Sequence, residues 1–188
     1  MSLQTWEEAL VTAQVAGSSV SNTTTATTLL PSHANYTFPS YYFSIGKTLR
    51  ITSIGQVSNV VTTPGTITLD FRLGAVVVFN GGAVQMSTTA HTTLPYWWDC
   101  VLTCRAIGAS TSANFMGQSR LGGQMMSATA VADSTTTHGW LLAPNAAPVV
   151  GSGFDSTATQ KIDHFVTFSV TTSPTNITLQ QFILEALN

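Results

Sequence analysis

The sequence predicts an all-β fold: an antiparallel β-sandwich of jelly-roll type with about eight strands. Three observations predict it. Short segments alternate between apolar and polar residues with period two, turn residues separate these segments, and no helix of ordinary length is indicated after residue 15. About eight strands favour a jelly roll, and the chain lacks the two cysteines spaced across the sheets of an immunoglobulin domain.

The stretch at residues 96–105 reads as a strand with one buried face. Period two places Trp98, Cys100, Leu102 and Cys104 on one side, which we expect to face the core. The opposite side carries Trp97, Asp99, Val101, Thr103 and Arg105. Four residues of extended chain separate the cysteine α-carbons by about 13 Å, too far for a disulfide, so both thiols are expected to be free and buried.

The chain is predicted to divide into two regions: an N-terminal arm at residues 1–30 and a jelly-roll β-sandwich domain at residues 31–188. In the arm, Thr5 and Glu8 match a capping box that would open a short helix ending near Gln14, but the same residues also tolerate an extended strand. Residues 17–28 are almost entirely Ser, Thr, Asn and Gly. We interpret them as an arm or edge segment that lies against a neighbour.

Residues 36–45 contain five aromatic side chains interrupted by Pro39. This segment is interpreted as a loop that plugs one end of the sandwich, and the alternative is an aromatic platform for a ligand.

Further strands follow in order along the domain. The predicted ranges are 48–58, Thr66–Leu73, 75–79, 84–86, 114–121, 162–170 and 177–187. Gly55 is expected to mark a bulge or a close backbone approach. Residues 124–160 are the least regular part, and we expect short strands within a long loop region there.

The surface is unusually poor in charge. Hydrophobic residues make up 44% of the chain, but only 7% of residues are charged, against roughly 25% in an ordinary soluble domain. Such a surface suggests that neighbouring subunits of an assembly cover much of it. The alternative is a monomer whose surface is solvated through hydroxyl groups. The net charge is −2 and the six basic residues form no run, so we expect neither a nucleic-acid partner nor a membrane.

No catalytic pattern is recognisable. The sequence contains no HExxH, Gly-x-Ser-x-Gly or P-loop motif and no Cys/His zinc spacing. Asp163 and His164 are adjacent, but neighbours on a strand point to opposite faces, so they cannot form a dyad. We expect His164 at a core edge with its ring hydrogen-bonded. The sequence therefore predicts a protein that is not an enzyme, with no catalytic, cofactor-binding or metal residues.

Several short phrases resemble a loose group of small virion proteins of tailed bacteriophages. They are Leu29-Leu30-Pro31, Ile45-Gly46-Lys47-Thr48-Leu49-Arg50-Ile51, Leu69-Asp70-Phe71-Arg72-Leu73-Gly74, Leu102-Thr103-Cys104-Arg105 and Gly117-Gln118. The match covers roughly residues 29–121, and its motifs are structural. The resemblance implies a β-rich subunit packed into the head or tail, and it transfers no active-site residue.

These observations lead to a functional hypothesis: a capsid decoration (cement) protein that oligomerises on the head surface and stabilises the shell. Its expected partners are further copies of itself, with which it would form a homotrimer, and the major capsid protein. Its expected location is the virion capsid, which is assembled in the host cytoplasm. The arm and the loops within residues 124–160 would carry the contacts. Alternatives are a tail or head-fibre component, or a module that binds host glycans through Tyr41, Tyr42 and Trp140.

Overall fold

The computed structural model describes residues 7–59, 63–123, 140–171 and 175–187. These residues form twelve strands and one short 3₁₀ helix at Ser32–Ala34. The strands are β1 (Glu7–Thr12), β2 (Val20–Ser21), β3 (Thr27–Thr28), β4 (Tyr36–Phe38), β5 (Thr48–Asn59), β6 (Thr66–Leu73), β7 (Val76–Gln85), β8 (His91–Ala106), β9 (Asn114–Gly123), β10 (Trp140–Ala143), β11 (Gln160–Phe168) and β12 (Asn176–Leu187).

Two antiparallel sheets pack against each other. The larger sheet has the order β1-β12-β5-β8-β9-β10, with β2 also paired to β12, and the smaller has the order β3-β11-β6-β7, with β4 also paired to β11. Strands distant in sequence pair with each other, β5 with β12 and β6 with β11, whereas β6 and β7, β8 and β9, and β9 and β10 pair with their neighbours in sequence. The predicted all-β sandwich is confirmed. The described residues form twelve strands rather than about eight, because the N-terminal segment adds short strands.

The core lies between the sheets and is rich in aromatic rings. Along β8, the side predicted to be buried is buried: Trp98, Cys100, Leu102 and Cys104 are at most 1% exposed. The indole of Trp98 stacks on Phe71 of β6, with ring centroids 4.6 Å apart, and donates its N–H to Ser119 Oγ. Both cysteines are free, as expected, and burial raises the pKa of the Cys100 thiol.

Strands β7 and β8 are longer than predicted. We expected β7 to stop at Gly81-Gly82, but the strand continues to Gln85 because a register shift absorbs the glycine pair and the Asn80 side chain accepts the Gly82 N–H at 2.8 Å. Strand β8 begins at His91 rather than at Tyr96, since residues 91–95 continue to pair with β5. In both cases pairing outweighs local turn signals.

The N-terminal segment is extended and joined to both sheets. Over Glu7–Thr12 the helical alternative is wrong, because these residues form β1 against the end of β12; Thr5 lies outside the described residues. Further along, β2 pairs with β12 and β3 with β11, and Leu29 is fully buried. Residues 7–28 therefore complete the sheets of their own chain, and any contact with a neighbour stays a prediction.

His164 lies in the centre of the core, and the expectation of a hydrogen-bonded ring at a core edge is wrong. The ring is fully buried, with its centroid 4.9 Å from that of Phe71 and 5.0 Å from that of Trp98. Neither ring nitrogen has a hydrogen-bond partner in the described part of the chain. The reason is the alternation of side chains along the strand, which puts His164 on the inward face of β11 with Ile162 and Val166. Aromatic rings of Phe71, Trp98 and Phe182 pack around it there. Asp163 points the other way and accepts a hydrogen bond from Thr28, so the two form no dyad.

Candidate interaction surfaces

The outer face of the larger sheet carries exposed apolar side chains around an ion pair network. Pairing across the strands aligns its residues in rows, of which two matter most: Ile183-Thr52-Asp99-Arg120-Leu142 and Gln181-Ile54-Trp97-Gly122-Trp140. We call this surface, together with Val101 and Arg105 on β8, the sheet face. Trp97, Val101, Trp140 and Leu142 are each 41 to 54% exposed.

Asp99 is the centre of the sheet face and is held by two arginines. Its carboxylate accepts a hydrogen bond from Arg50 Nε at 3.2 Å and one from an Arg120 terminal nitrogen at 2.9 Å. Although Asp99 is only 7% exposed, the two guanidinium groups reach solvent. Burial alone would raise the pKa of Asp99, but the hydrogen bonds from Arg120 and Arg50 outweigh it and leave the pKa lowered.

Arg120 links the ion pair to the apolar side chains. Its guanidinium carbon lies 5.6 Å from the ring centroid of Trp140, within the range of a cation–π contact. Trp140 and Trp97 both pair with Gly122, which has no side chain to separate them. The sheet face is thus an aromatic and aliphatic surface with its charges fixed in position, a composition typical of protein contact surfaces.

A second apolar surface lies at one end of the sandwich. Tyr41, Ile45 and Ile107 are 76, 68 and 47% exposed there, and we call them the end surface. Backbone hydrogen bonds tie their loops together: Tyr41 N–H donates to Ser156, Ser156 N–H donates to Gly108, and Gly46 N–H donates to Cys104. Tyr41 has a φ of 61°, a costly conformation for a bulky residue that persists only where surrounding structure enforces it.

The aromatic segment beneath the end surface fills the sandwich end, as the plug interpretation predicted. Phe38 and Phe43 are buried, and Phe43 contacts both Phe115 and Phe154 with centroid distances of 5.2 and 5.4 Å. Tyr42 packs against both of the buried rings while Lys47 Nζ lies 4.0 Å from its ring centroid. Burial, followed by the nearby Tyr36 and Glu8, raises the pKa of Tyr42 to about 12. The plug makes the end surface rigid.

The three aromatics considered for glycan binding do not form one platform. Tyr42 belongs to the buried plug, whereas Tyr41 and Trp140 are exposed at different places. Lys47 marks the position of the Tyr41-Tyr42 loop, because its Nζ contacts the Tyr42 ring. Trp140 lies in the row of Ile54, seven residues further along the extended chain, which corresponds to about 20 Å. Only Tyr41 and Trp140 singly could stack on a sugar.

A cavity of about 340 Å³ opens beside β7 and β9. Its lining is mainly apolar, with Phe79, Pro144 and Val150, and its polar side chains are those of Asn80 and Ser152. None of the described residues that line it is ionisable. The predicted contact loops within residues 124–160 are described only from residue 140 onward, where Trp140 and Leu142 belong to the sheet face.

Sequence reasoning placed the β8 part of the sheet face outward, but it assigned no face to Arg120, Trp140 or Leu142 and did not recognise a surface. The alternation along residues 96–105 assigned Trp97 and Val101 outward, and large apolar residues on an outward face were the available signal. Ile45 and Ile107 were missed entirely. Ile45 precedes Gly46, just before β5, and Ile107 precedes Gly108, just after β8. An apolar residue before a turn glycine is the only local indication that these side chains are exposed.

Among residues 7–59, 63–123, 140–171 and 175–187, no group of three or more His, Cys, Asp or Glu side chains is arranged to hold a metal ion. No helix in the same residues has the length and apolar character needed to cross a membrane.

Comparisons of the chain with protein-family models, with curated proteins and with solved structures found no match.

Proposed function

We propose that this chain is a structural protein of a tailed-bacteriophage virion, specifically a capsid decoration protein that forms a homotrimer on the head and stabilises the shell of major capsid protein. The observation that carries the proposal is the presence of two separate apolar surfaces, the sheet face and the end surface, on a chain with few charges. A subunit that braces a shell needs two such surfaces, because it contacts both the shell and its own copies.

The end surface has the properties of a seat on the shell. Tyr41, Ile45 and Ile107 project from loops that are bonded to one another and supported by the aromatic plug. A rigid apolar projection loses little conformational entropy on binding, which favours affinity. Lys47 follows Ile45 by two residues and supplies part of the polar rim usual around such a contact.

The experiment measures binding to purified heads that lack the protein. Wild-type chain is expected to saturate a fixed number of sites per head and to raise the temperature at which the heads open. Ile45→Glu places a charge in the apolar seat, so we expect at least tenfold weaker binding. Val15→Glu is the matched control, because Val15 is similarly exposed in the loop after β1 and should bind as wild type does.

Two outcomes reject the proposal in different ways. If wild-type chain does not bind heads at any concentration, the decoration role is wrong. If a labelled subunit is seen by electron microscopy on the tail or on head fibres instead, the alternative of a tail or fibre component replaces it.

A further inference from the structure

We infer that the sheet face is the contact between copies of this chain, with the acidic edge of one copy against the arginine and tryptophan side of the next. This inference rests on the proposed function in one respect: it assigns the self-association of that subunit to a defined surface.

Charge is distributed unevenly across the sheet face. Glu7 on β1 and Glu185 on β12 lie at one edge, whereas Arg105 on β8 and Arg120 on β9 lie toward the other. Strands β12 and β9 are three strand spacings apart, about 14 Å, so Glu185 cannot reach Arg120 within one chain. In the described part of the chain, Glu7, Glu185 and Arg105 form no ion pair. Glu185 pairs across the strands with Arg50, which attracts both Glu185 and Glu7 but is hydrogen-bonded to Asp99. The β1–β12 edge therefore keeps an excess of negative charge, and the β8–β9 side keeps an excess of positive charge that a second copy could meet.

The ion pair network keeps the arginine half in place. Asp99 fixes one nitrogen of Arg120, and the Trp140 ring lies beside the same guanidinium. Because Arg50 and Arg120 share one carboxylate, this network carries a net positive charge toward solvent. An incoming carboxylate would meet a preorganised guanidinium, which loses less side-chain entropy than a free arginine does.

The apolar side chains supply the remaining part of the contact. Exposed apolar side chains lie on the arginine side of the face: Trp97 and Val101 on β8, and Trp140 and Leu142 on the edge strand β10. Tryptophan and arginine are among the residue types most enriched in the hot spots of protein contacts. Six strands and four outward rows cover about 500 Å² of flat sheet before side-chain relief is counted. This approaches the roughly 800 Å² per partner of a standard stable interface.

The occupant is therefore a second copy rather than a nucleic acid or a membrane. A phosphate backbone would be repelled by Glu7 and Glu185, which lie on the same face as the arginines. In a twofold pair both halves of a face meet the same partner, whereas in a closed ring each half meets a different neighbour, and the particle mass distinguishes the two arrangements.

The first test is the mass of the purified full chain in solution by analytical ultracentrifugation. Wild-type chain is expected to sediment at two or three times its monomer mass. Val101→Glu introduces a charge at the middle of the face, and we expect at least tenfold weaker association. Ile45→Glu is the matched control, since it changes an exposed aliphatic residue outside the face and should keep the wild-type mass.

A second test examines the charges and keeps the ion pair network intact. Glu7→Lys together with Glu185→Lys should weaken association, and Arg105→Glu alone should weaken it too, both more at low salt than at high salt. Combining all three changes should restore part of the loss, because the charges are then exchanged between the halves. Far-UV circular dichroism confirms that each variant is folded.

A monomeric wild-type chain overturns the inference, as does a folded Val101→Glu variant that keeps the wild-type mass. These failures are distinguishable from failure of the proposed function. Heads that still bind a monomeric chain would leave the decoration role standing, whereas an intact oligomer that does not bind heads would reject only that role.

Discussion

At the scale of single residues, His164 is the most costly group in the core. A buried polar group without a hydrogen-bond partner costs about 1–3 kcal/mol, and both ring nitrogens of His164 are in that position within the described structure. Burial lowers the pKa of His164 to about 3. The ring therefore stays neutral and packs as a small aromatic against both Phe71 and Trp98.

His164→Phe is expected to change both stability and its dependence on pH. At pH 7 the variant should gain about 1–3 kcal/mol, because the unpartnered nitrogens are replaced by carbon. As pH falls from 6.5 toward 3, the unfolded wild-type chain takes up a proton that the folded chain cannot accept, so wild-type stability falls by on the order of 4 kcal/mol. The variant should lack that part of the loss. Urea unfolding across pH 3–7 measures both effects, with His91→Gln as the control.

Equal acid sensitivity in wild type and His164→Phe would show that the imidazole does not remain neutral in the folded core.

Asp99 is the second residue whose replacement gives a definite expectation. Asp99→Asn keeps the shape of the side chain but leaves Arg50 and Arg120 facing each other without a negative partner. We expect a loss of about 1–3 kcal/mol at pH 7, toward the lower end because both guanidinium groups reach water. Since the pKa of Asp99 is lowered, its stabilisation is present above the ordinary carboxyl pKa and disappears as pH falls through the folded value.

The control for Asp99→Asn is Glu8→Gln, which removes an exposed acid from β1 of the same sheet and breaks no ion pair of the described residues. A loss no larger than that of the control would mean that the ion pair network contributes nothing to stability.

At the scale of elements, β5 is the centre of the larger sheet because it pairs with both β12 and β8. Gly55 permits that position. A Cβ there would lie 2.2 Å from the Thr178 carbonyl oxygen and 2.8 Å from the Tyr96 ring, and a register shift on β12 lies beside it. The close backbone approach that the sequence suggested at Gly55 is confirmed.

Gly55→Ala should therefore destabilise the fold by about 1–3 kcal/mol or more, through overpacking against a backbone atom that cannot move aside easily. Gln56→Ala is the matched control, because Gln56 is the next residue on β5, points outward and is half-buried. Thermal unfolding of both variants measures the difference. Equal melting temperatures would indicate that β12 can shift away from β5 at this point.

Sequence periodicity predicts the paired strands well and the surfaces poorly. The alternation in Thr66–Leu73 gives both the bounds and the buried face of β6, because one face is core and the other is solvent. His164 has the parity of a core residue, yet a sequence offers no means of knowing that no partner lies near its ring. Similarly, Ile45 and Ile107 become one surface only when loops from distant parts of the chain are bonded together.

At the scale of the whole molecule, a chain that covers its sheet face with another copy should have a stability that depends on concentration. Association stabilises the folded state by mass action. For a dimer, each tenfold change in concentration is worth up to about 1.4 kcal/mol per pair, or about 0.7 kcal/mol per chain. For a domain of this size, 1 kcal/mol shifts the melting temperature by roughly 2–4 °C.

We therefore expect the melting temperature of wild-type chain to rise by roughly 4 °C over a hundredfold increase in concentration. Val101→Glu should melt at a temperature independent of concentration, because its folded monomer has no partner to bind, while Ile45→Glu should follow wild type. Differential scanning fluorimetry over this range measures the slope at protein amounts far below those of sedimentation. The contradicting result is a wild-type melting temperature that does not change over the concentrations at which sedimentation shows the oligomer dissociating. Unfolded chains would then associate as readily as folded ones. The sheet face, which exists only in the folded chain, would not be the contact.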